Sequence, residues 1–490
     1  MLSTNLLTKL KGLSHPRVKR LFSKKRARRA KIAVFTVLHR LRSFPFVKLD
    51  SILVVQGKGL LVQGLLIDPS NQINKLELLF KHDAHEAISF EPIYFKDGQL
   101  RTQAIPEKQS RKPGFACLAQ LPYSSAEGSE RSPQATGIRI TLSNGRCLVR
   151  RPRKSIGSVR AGIAGVRQIL DTVPVKTSDK RQLFDTVYGP AIDCVWSKRD
   201  QSQQGGSLVA YNAHLKPEHP DVTLVIPIYG RYDFIEYQLS SFCNDRDMYN
   251  HEILFVIDDP SLVADVKRSC ESLKRLYKIS FNILYLECNL GYAGANNAGV
   301  RAATAKNILL WNSDVMPIHS GWLAKLLAST EATIDKSLCG VRLLYEDNSV
   351  QHDGMAFFAS PFVDDLWTNI HPGKGLPADI FSSHEYPVQR QAVTGACLLI
   401  KKSNYEKIGG LDERYILGDF EDSDLCMRAR QHGLDILLAE DIVLYHLERQ
   451  SQSLVTTSRW KQELTYYNCW QHTQLWDDAI RKLQPDAQHD

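Results

Sequence analysis

The sequence lacks any apolar run of 18 residues, so it predicts no helix able to cross a bilayer. Its longest apolar runs, such as residues 308–311 and 396–400, have strand length. None of its 10 cysteines forms a Cys-x-x-Cys pair, which excludes zinc-ribbon spacing and leaves no disulfide framework. Thiols scattered through apolar runs are usual buried filler, and a reducing compartment fits them best. A collagen-like or disordered chain is excluded, because 43% of the residues are apolar and 23% charged, the balance of folded protein. Residues 1–49 hold 14 Lys or Arg and no Asp or Glu. The remainder carries 48 basic against 53 acidic residues, so the net charge of +9 belongs to one arm.

That arm, densest over residues 19–31 (KRLFSKKRARRAK), suits an anionic surface or a solvated tail. No apolar segment with a cleavage site follows it, which disfavours a secretory signal and leaves an organelle transit peptide open. Residues 50–155 read as short strands between turn signals such as Asp97-Gly98 and Asn144-Gly145, the pattern of a sandwich or small barrel with an accessory role. Residues 156–215 read as helix and then linker, by the composition of 200–207 (DQSQQGGS). From residue 216 to 455, near-continuous apolar strands alternate with helices. That pattern predicts an α/β domain, a mostly parallel Rossmann-like sheet with helices on both faces. Residues 456–490 are expected to form a C-terminal helical tail.

Ligands of such sheets bind beyond the carboxyl ends of the strands. Three strands end on polar clusters: Pro227-Ile228-Tyr229-Gly230-Arg231, Asp258-Asp259-Pro260-Ser261 and Asn312-Ser313-Asp314. Each alone is ordinary turn chemistry; together they predict one shared crevice. Residues 289–299 (NLGYAGANNAG) place Asn289, Gly291 and Gly294 where backbone approaches a ligand or where helix packs on sheet. They match neither the G-x-G-x-x-G fingerprint nor a Walker loop.

The ordered set VIPIYGR, VIDDPS, NLGYAGANNAG and WNSDV, followed by QHDG, VTGACLLI and DFEDSDLCMRARQHG, resembles glycosyltransferase family 2 of the GT-A fold, most like its bacterial rhamnosyltransferase-type members. The resemblance implies an inverting enzyme that moves a sugar from a nucleotide-diphosphate sugar to a hydroxyl of a glycan or lipid-linked glycan. It implies a nucleotide pocket at Pro227, Tyr229, Asp258 and Asp259, with Arg231 toward phosphate. Asn312 and Asp314 stand at the family's Asp-x-Asp position. The expected cofactor is a divalent cation, magnesium or manganese, held by Asp314 and by His446, although a lone His is more often structural. Asp422, next to Glu421, matches the general base, although acids in a first helical turn also answer the helix dipole. His352, Gly395, Asp424 and Arg428 are expected to shape the sugar and acceptor pocket or to serve packing. Trp311, Trp322 and Trp367 would stack on sugars or fill the core. A nucleotide-sugar-binding module without transfer is the alternative reading, because Asn312 removes one charge. The expected location is cytoplasmic, with peripheral membrane contact through the arm, and no specific nucleic-acid partner is expected.

Overall fold

The computed structural model describes residues 45–484, apart from 57, 69–71, 81–87, 96–113, 121–134, 153, 175–176, 178, 200–204 and 448–457. The Asp97-Gly98 turn and most of the basic arm lie outside the described residues. The chain divides into two compact units, 1–199 and 200–490.

The first unit carries two β-sheets. One orders Ile93–Phe95, Gly114–Ala119, Gly59–Ile67, Phe46–Val55 and Lys154–Ser158; the other orders Ile88–Ser89, Ile73–Phe80, Ala135–Leu142 and Cys147–Arg150. Leu49, Ile52, Val62 and Phe115 of the first sheet share one core with Leu76, Leu78, Ile138 and Ile140 of the second, as in a sandwich. The Asn144-Gly145 turn joins the last two strands, with Gly145 at φ +77°. Helices Ile163–Leu170 and Gly189–Ser197 complete the unit.

In the second unit the strands Phe281–Leu286, Glu252–Ile257, Val222–Ile228 and Asn307–Trp311 lie side by side and parallel. Each is buried on both faces. Leu224, Ile226, Phe255 and Ile257 belong to one apolar layer, Val225, Leu254 and Val256 to the other, which is why these strands read as unbroken apolar runs. The Gly291–Ala302 helix packs so closely that a Cβ at Gly299 would come within 2.4 Å of Val225 Cγ1. Antiparallel strands flank this parallel centre. Gly206–Tyr211, read from composition as linker, is an edge strand on Phe281–Leu286, because backbone pairing overrode a Gly-Ser start. On the other side Cys397–Lys401 pairs with Asn307–Trp311 and leads to Ser337–Leu344 and the long Asp435–His446 strand. The helix Glu421–Gln431 ends before Gly433, at φ +77°. Among the described residues no helix is long and apolar enough to cross a membrane.

Candidate functional site

The Asn312–Val315 turn follows the strand Asn307–Trp311, buried from Ile308 onward, and is held from below. Gln238, on the apolar face of the Phe234–Phe242 helix, donates through Nε2 to the Ser313 carbonyl at 2.8 Å and to the Asn312 carbonyl at 3.2 Å. After the turn, Val315–Pro317 pairs with the end of the long strand, Val315 opposite His446. That pairing brings His446 Nε2 to 3.3 Å from Asp314 Oδ1. The sequence reading missed Gln238; a buried amide among Phe234, Ile235, Leu239 and Phe242 was its signal.

His446 Nδ1 meets Gln351 Oε1 at 3.3 Å. An amide oxygen only accepts, so Nδ1 carries a proton, and in the neutral imidazole the Nε2 lone pair then faces Asp314. Two acceptors at that distance would suit a shared cation. Asn312 adds to them, with Nδ2 3.5 Å from His446 Nε2 and its Oδ1 buried without a hydrogen-bond partner. Oxygen and imidazole donors fit a divalent cation whose remaining positions go to phosphate or water. Among the described residues no three His, Cys, Asp or Glu side chains converge as a metal group, so an Asn carbonyl would have to serve beside Asp314 and His446.

The second cluster begins at the Glu421–Gln431 helix. The Gly395 amide donates to Asp422 Oδ2 at 3.2 Å, and the Ser423 amide to Oδ1 at 2.7 Å. Burial raises the Asp422 carboxyl above its ordinary value, against these two donors and the Thr394 hydroxyl. Glu421 is buried, its Oε2 has no hydrogen-bond partner, and burial followed by the Asp422 charge holds it well above the carboxylate range. Gly395 also accepts from the Tyr292 hydroxyl at 2.9 Å, and a Cβ there would lie 3.0 Å from that oxygen. The two clusters meet here, because the Asn312 amide donates to the carbonyl of the next residue, Ala396, at 2.9 Å.

The nucleotide-side residues divide. Tyr229 is half exposed and close enough to Asp259 and Asp258 for their charges to reinforce the upward shift that burial gives its hydroxyl. Asp258 is buried, accepts from the Leu290 amide at 2.6 Å, and is pushed by burial up to about 8. Asp259 caps the turn after its strand, accepting from the Ser261 amide and hydroxyl at 3.0 and 2.6 Å. Pro227 stays within its strand opposite Val256. Arg231 pairs with Asp233 and stacks 4.7 Å above the Phe234 ring, with Asp314 within electrostatic reach. The Asn289 side chain accepts from the Gly291 amide at 2.9 Å. Gly291, at φ +75°, lies against the Leu417 backbone, and Gly294 against Leu290, so close packing explains both glycines.

Three of the residues expected at the pocket, or in packing, are held by partners within the protein. Asp424 is 1% exposed and turned inward, accepting from Arg428 Nε at 2.7 Å, Trp476 Nε1 at 2.8 Å and the Tyr415 hydroxyl at 3.3 Å. Arg428 also donates to the Ile408 carbonyl, so this pair ties its helix to the neighbouring segment. His352 is fully buried between His371, whose Nδ1 is 2.9 Å from its own, and the Thr394 amide at 3.4 Å. Burial keeps it neutral, well below the usual range, and it supports the Thr394-Gly395 loop from behind. Trp311, Trp322 and Trp367 are all buried, and Trp367 Nε1 donates to Asp477 at 2.6 Å.

Residues 223–380 match the family model of glycosyl transferase family 2. The match falls within the second unit and covers about a third of the chain. The sheet of that unit is the GT-A type expected from the motif order. The chain is 27% identical over 251 residues to the uncharacterized protein y4gI of Sinorhizobium fredii, a match covering 50% of this chain and 27% of that protein. It is 24% identical over 241 residues to the O-antigen biosynthesis protein RfbC of Myxococcus xanthus, covering 48% and 18%. The chain thus spans about a quarter or less of the length of these two relatives. A solved structure of GalNAc-T7 with UDP, GalNAc and Mn2+ superposes at a TM-score of 0.40 and 14% identity, covering 53% of this chain and 49% of that one. The family 2 match stops at residue 380, short of Gly395, Asp422 and His446.

Proposed function

We propose that the protein transfers a sugar, with inversion, from a nucleotide-diphosphate sugar to a hydroxyl of a glycan or lipid-linked glycan during surface polysaccharide assembly. The observation that carries this reading is the pair of bonds at Gly395-Ala396, which puts the Asp422 carboxylate and the Asn312–Asp314 turn on adjacent residues. The family-model match within the second unit and the relative named for O-antigen biosynthesis support the substrate class.

In this reading the acceptor oxygen forms a bond to the anomeric carbon as the bond to the diphosphate breaks. The acceptor proton passes to Asp422, and the nucleoside diphosphate leaves. Asp422 is suited to this because its carboxyl is oriented by two main-chain amides and has a raised proton affinity. Glu421 would stay protonated beside it, which limits the negative charge facing the donor phosphates. Asp314, His446 and Asn312 would hold magnesium or manganese. When bound, that ion would stabilise charge on the leaving diphosphate. Tyr229 and Asp259 would contact the nucleoside, and Arg231 would reach phosphate by leaving Asp233.

A thermal-shift screen against UDP-, dTDP- and GDP-sugars, with and without Mn2+, tests the donor half, since a ligand that binds the folded state raises its melting temperature. Transfer by the stabilising donor tests the other half. Binding without transfer or hydrolysis would favour a nucleotide-sugar-binding module and sink the enzyme reading. A cytoplasmic site of action with peripheral membrane contact through the basic arm completes the proposal. Equal binding to anionic liposomes by the full chain and by a version starting at Pro45, just before the first strand, would remove the arm from it.

A further inference from the structure

The backbone just before Glu421 is strained. Leu417, Asp419 and Phe420 have φ of +66°, +79° and +76°, and Gly418 between them has +145°. Bulky side chains avoid this left-handed region, so a run of such residues persists only where its surroundings hold it. What holds it is the helix Arg459–Leu483, far along the chain and beyond the family match.

Asn468 on that helix is fully buried, and its side chain bonds to Gly418 within the strained segment and to Ile416 just before it. Nδ2 donates to the Gly418 carbonyl at 2.6 Å and the Ile416 carbonyl at 3.2 Å, while Oδ1 accepts from the Ile416 amide at 3.2 Å. Thr465 donates to Asp419 Oδ2 at 2.8 Å. His472 Nε2 lies 3.2 Å from the Ser423 hydroxyl, with its ring against Phe420. Trp476 donates to Asp424. Positions 465, 468, 472 and 476 form one stripe at helical spacing. The stripe grips residues on both sides of Asp422. The same segment touches the donor-side loop, where the Tyr292 amide approaches the Leu417 carbonyl at 3.4 Å.

We infer that Asn468 is a positioning residue for Asp422, and that the Thr465–Trp476 stretch of the C-terminal helix is part of the active-site machinery rather than a tail. The inference rests on the reading of Asp422 as the base. A buried Asn that served only stability would lower the melting point without selecting among kinetic steps. A clamp on the helix start sets where the Asp422 carboxylate stands relative to the acceptor, so its loss acts on the chemical step.

The test uses the full chain with the donor that stabilises it most in the screen above. Three variants are compared: Asn468→Ala, the milder Thr465→Val, and Ile480→Val as a core change on the same helix. Asn468→Ala is expected to lower kcat by about 10²-fold, as a small misplacement of a catalytic group does, with donor KM within about twofold. Thr465→Val is expected to lose about threefold in kcat, since it removes one of several restraints. Hydrogen exchange at the Gly395 and Ser423 amides, both donors to Asp422, should speed up in both. Ile480→Val should lower the melting temperature and leave kcat and these amides alone. Unchanged kcat and exchange in Thr465→Val and Asn468→Ala would overturn the inference, as would losses that track melting temperature across all three. If Asn468→Ala does not fold, Thr465→Val decides. Transfer that survives Asp422→Asn, with the two amides still loosened in Asn468→Ala or Thr465→Val, would sink the base assignment and leave the clamp standing.

Discussion

The Gly395 amide and the Asp422 carboxylate meet at 3.2 Å across 27 residues of sequence, and that contact fixes which way the carboxylate faces. With the neighbouring Ala396 carbonyl taken by Asn312, a single dipeptide relates the acid that would accept a proton to the turn that would face diphosphate.

Replacing that acid is the direct check. Asp422→Asn keeps the size of the side chain and removes its basicity. Sugar transfer should fall by about 10²–10⁴-fold, the usual contribution of a general base, while calorimetry should find donor affinity within about twofold. In the parent protein, transfer should rise with pH as this carboxyl ionises, and the rise should centre above the ordinary value of 3.8.

Glu421 gives a stability signature of opposite use. Its folded-state proton affinity is raised from the ordinary 4.5, so between the unfolded and folded values the folded chain binds more protons and stability falls as pH rises. Glu421→Gln, which cannot ionise, removes that loss and should stabilise the protein at pH 7 by about 1–3 kcal/mol, the size of energy that a raised carboxyl proton affinity carries. The gain should vanish near pH 4. Melting curves at the two pH values measure it, and an equal gain at both would contradict a raised Glu421.

Gln351 should govern the cation without touching it. Gln351→Leu leaves Nδ1 of His446 without its acceptor, and loss of such a partner typically costs about 10–100-fold in metal affinity. Titration with Mn2+ in the presence of UDP, followed by electron paramagnetic resonance, reports that directly. Gln351→Glu, which still accepts from Nδ1, should retain binding.

Asp424→Asn separates a packing role from an acceptor role. It would leave the Arg428 guanidinium facing a neutral amide inside the protein, and breaking a buried pair from one side costs about 3–5 kcal/mol. A large drop in melting temperature is expected. An unchanged melting temperature with a raised acceptor KM would put Asp424 back at the substrate.

The sequence alone determined the α/β alternation. The strands Val222–Ile228, Glu252–Ile257, Phe281–Leu286 and Asn307–Trp311 stand where their apolar runs put them, as does the Glu421–Gln431 helix with its Gly stop. Burial on both faces writes itself into consecutive residues, so such elements are legible locally. The polar clusters at the strand ends were legible for the same reason. Tertiary structure decided what each polar side chain faces. Asp422 and Asp424 stand two apart on one helix, yet one meets the Gly395 loop and the other a buried arginine and tryptophan. Gln238, Gln351 and Asn468 look like ordinary amides in the chain, and their partners lie about 50 to 95 residues away. A hydrogen bond is directional and short, so its worth depends on where distant backbone is brought, and composition and periodicity carry no record of that.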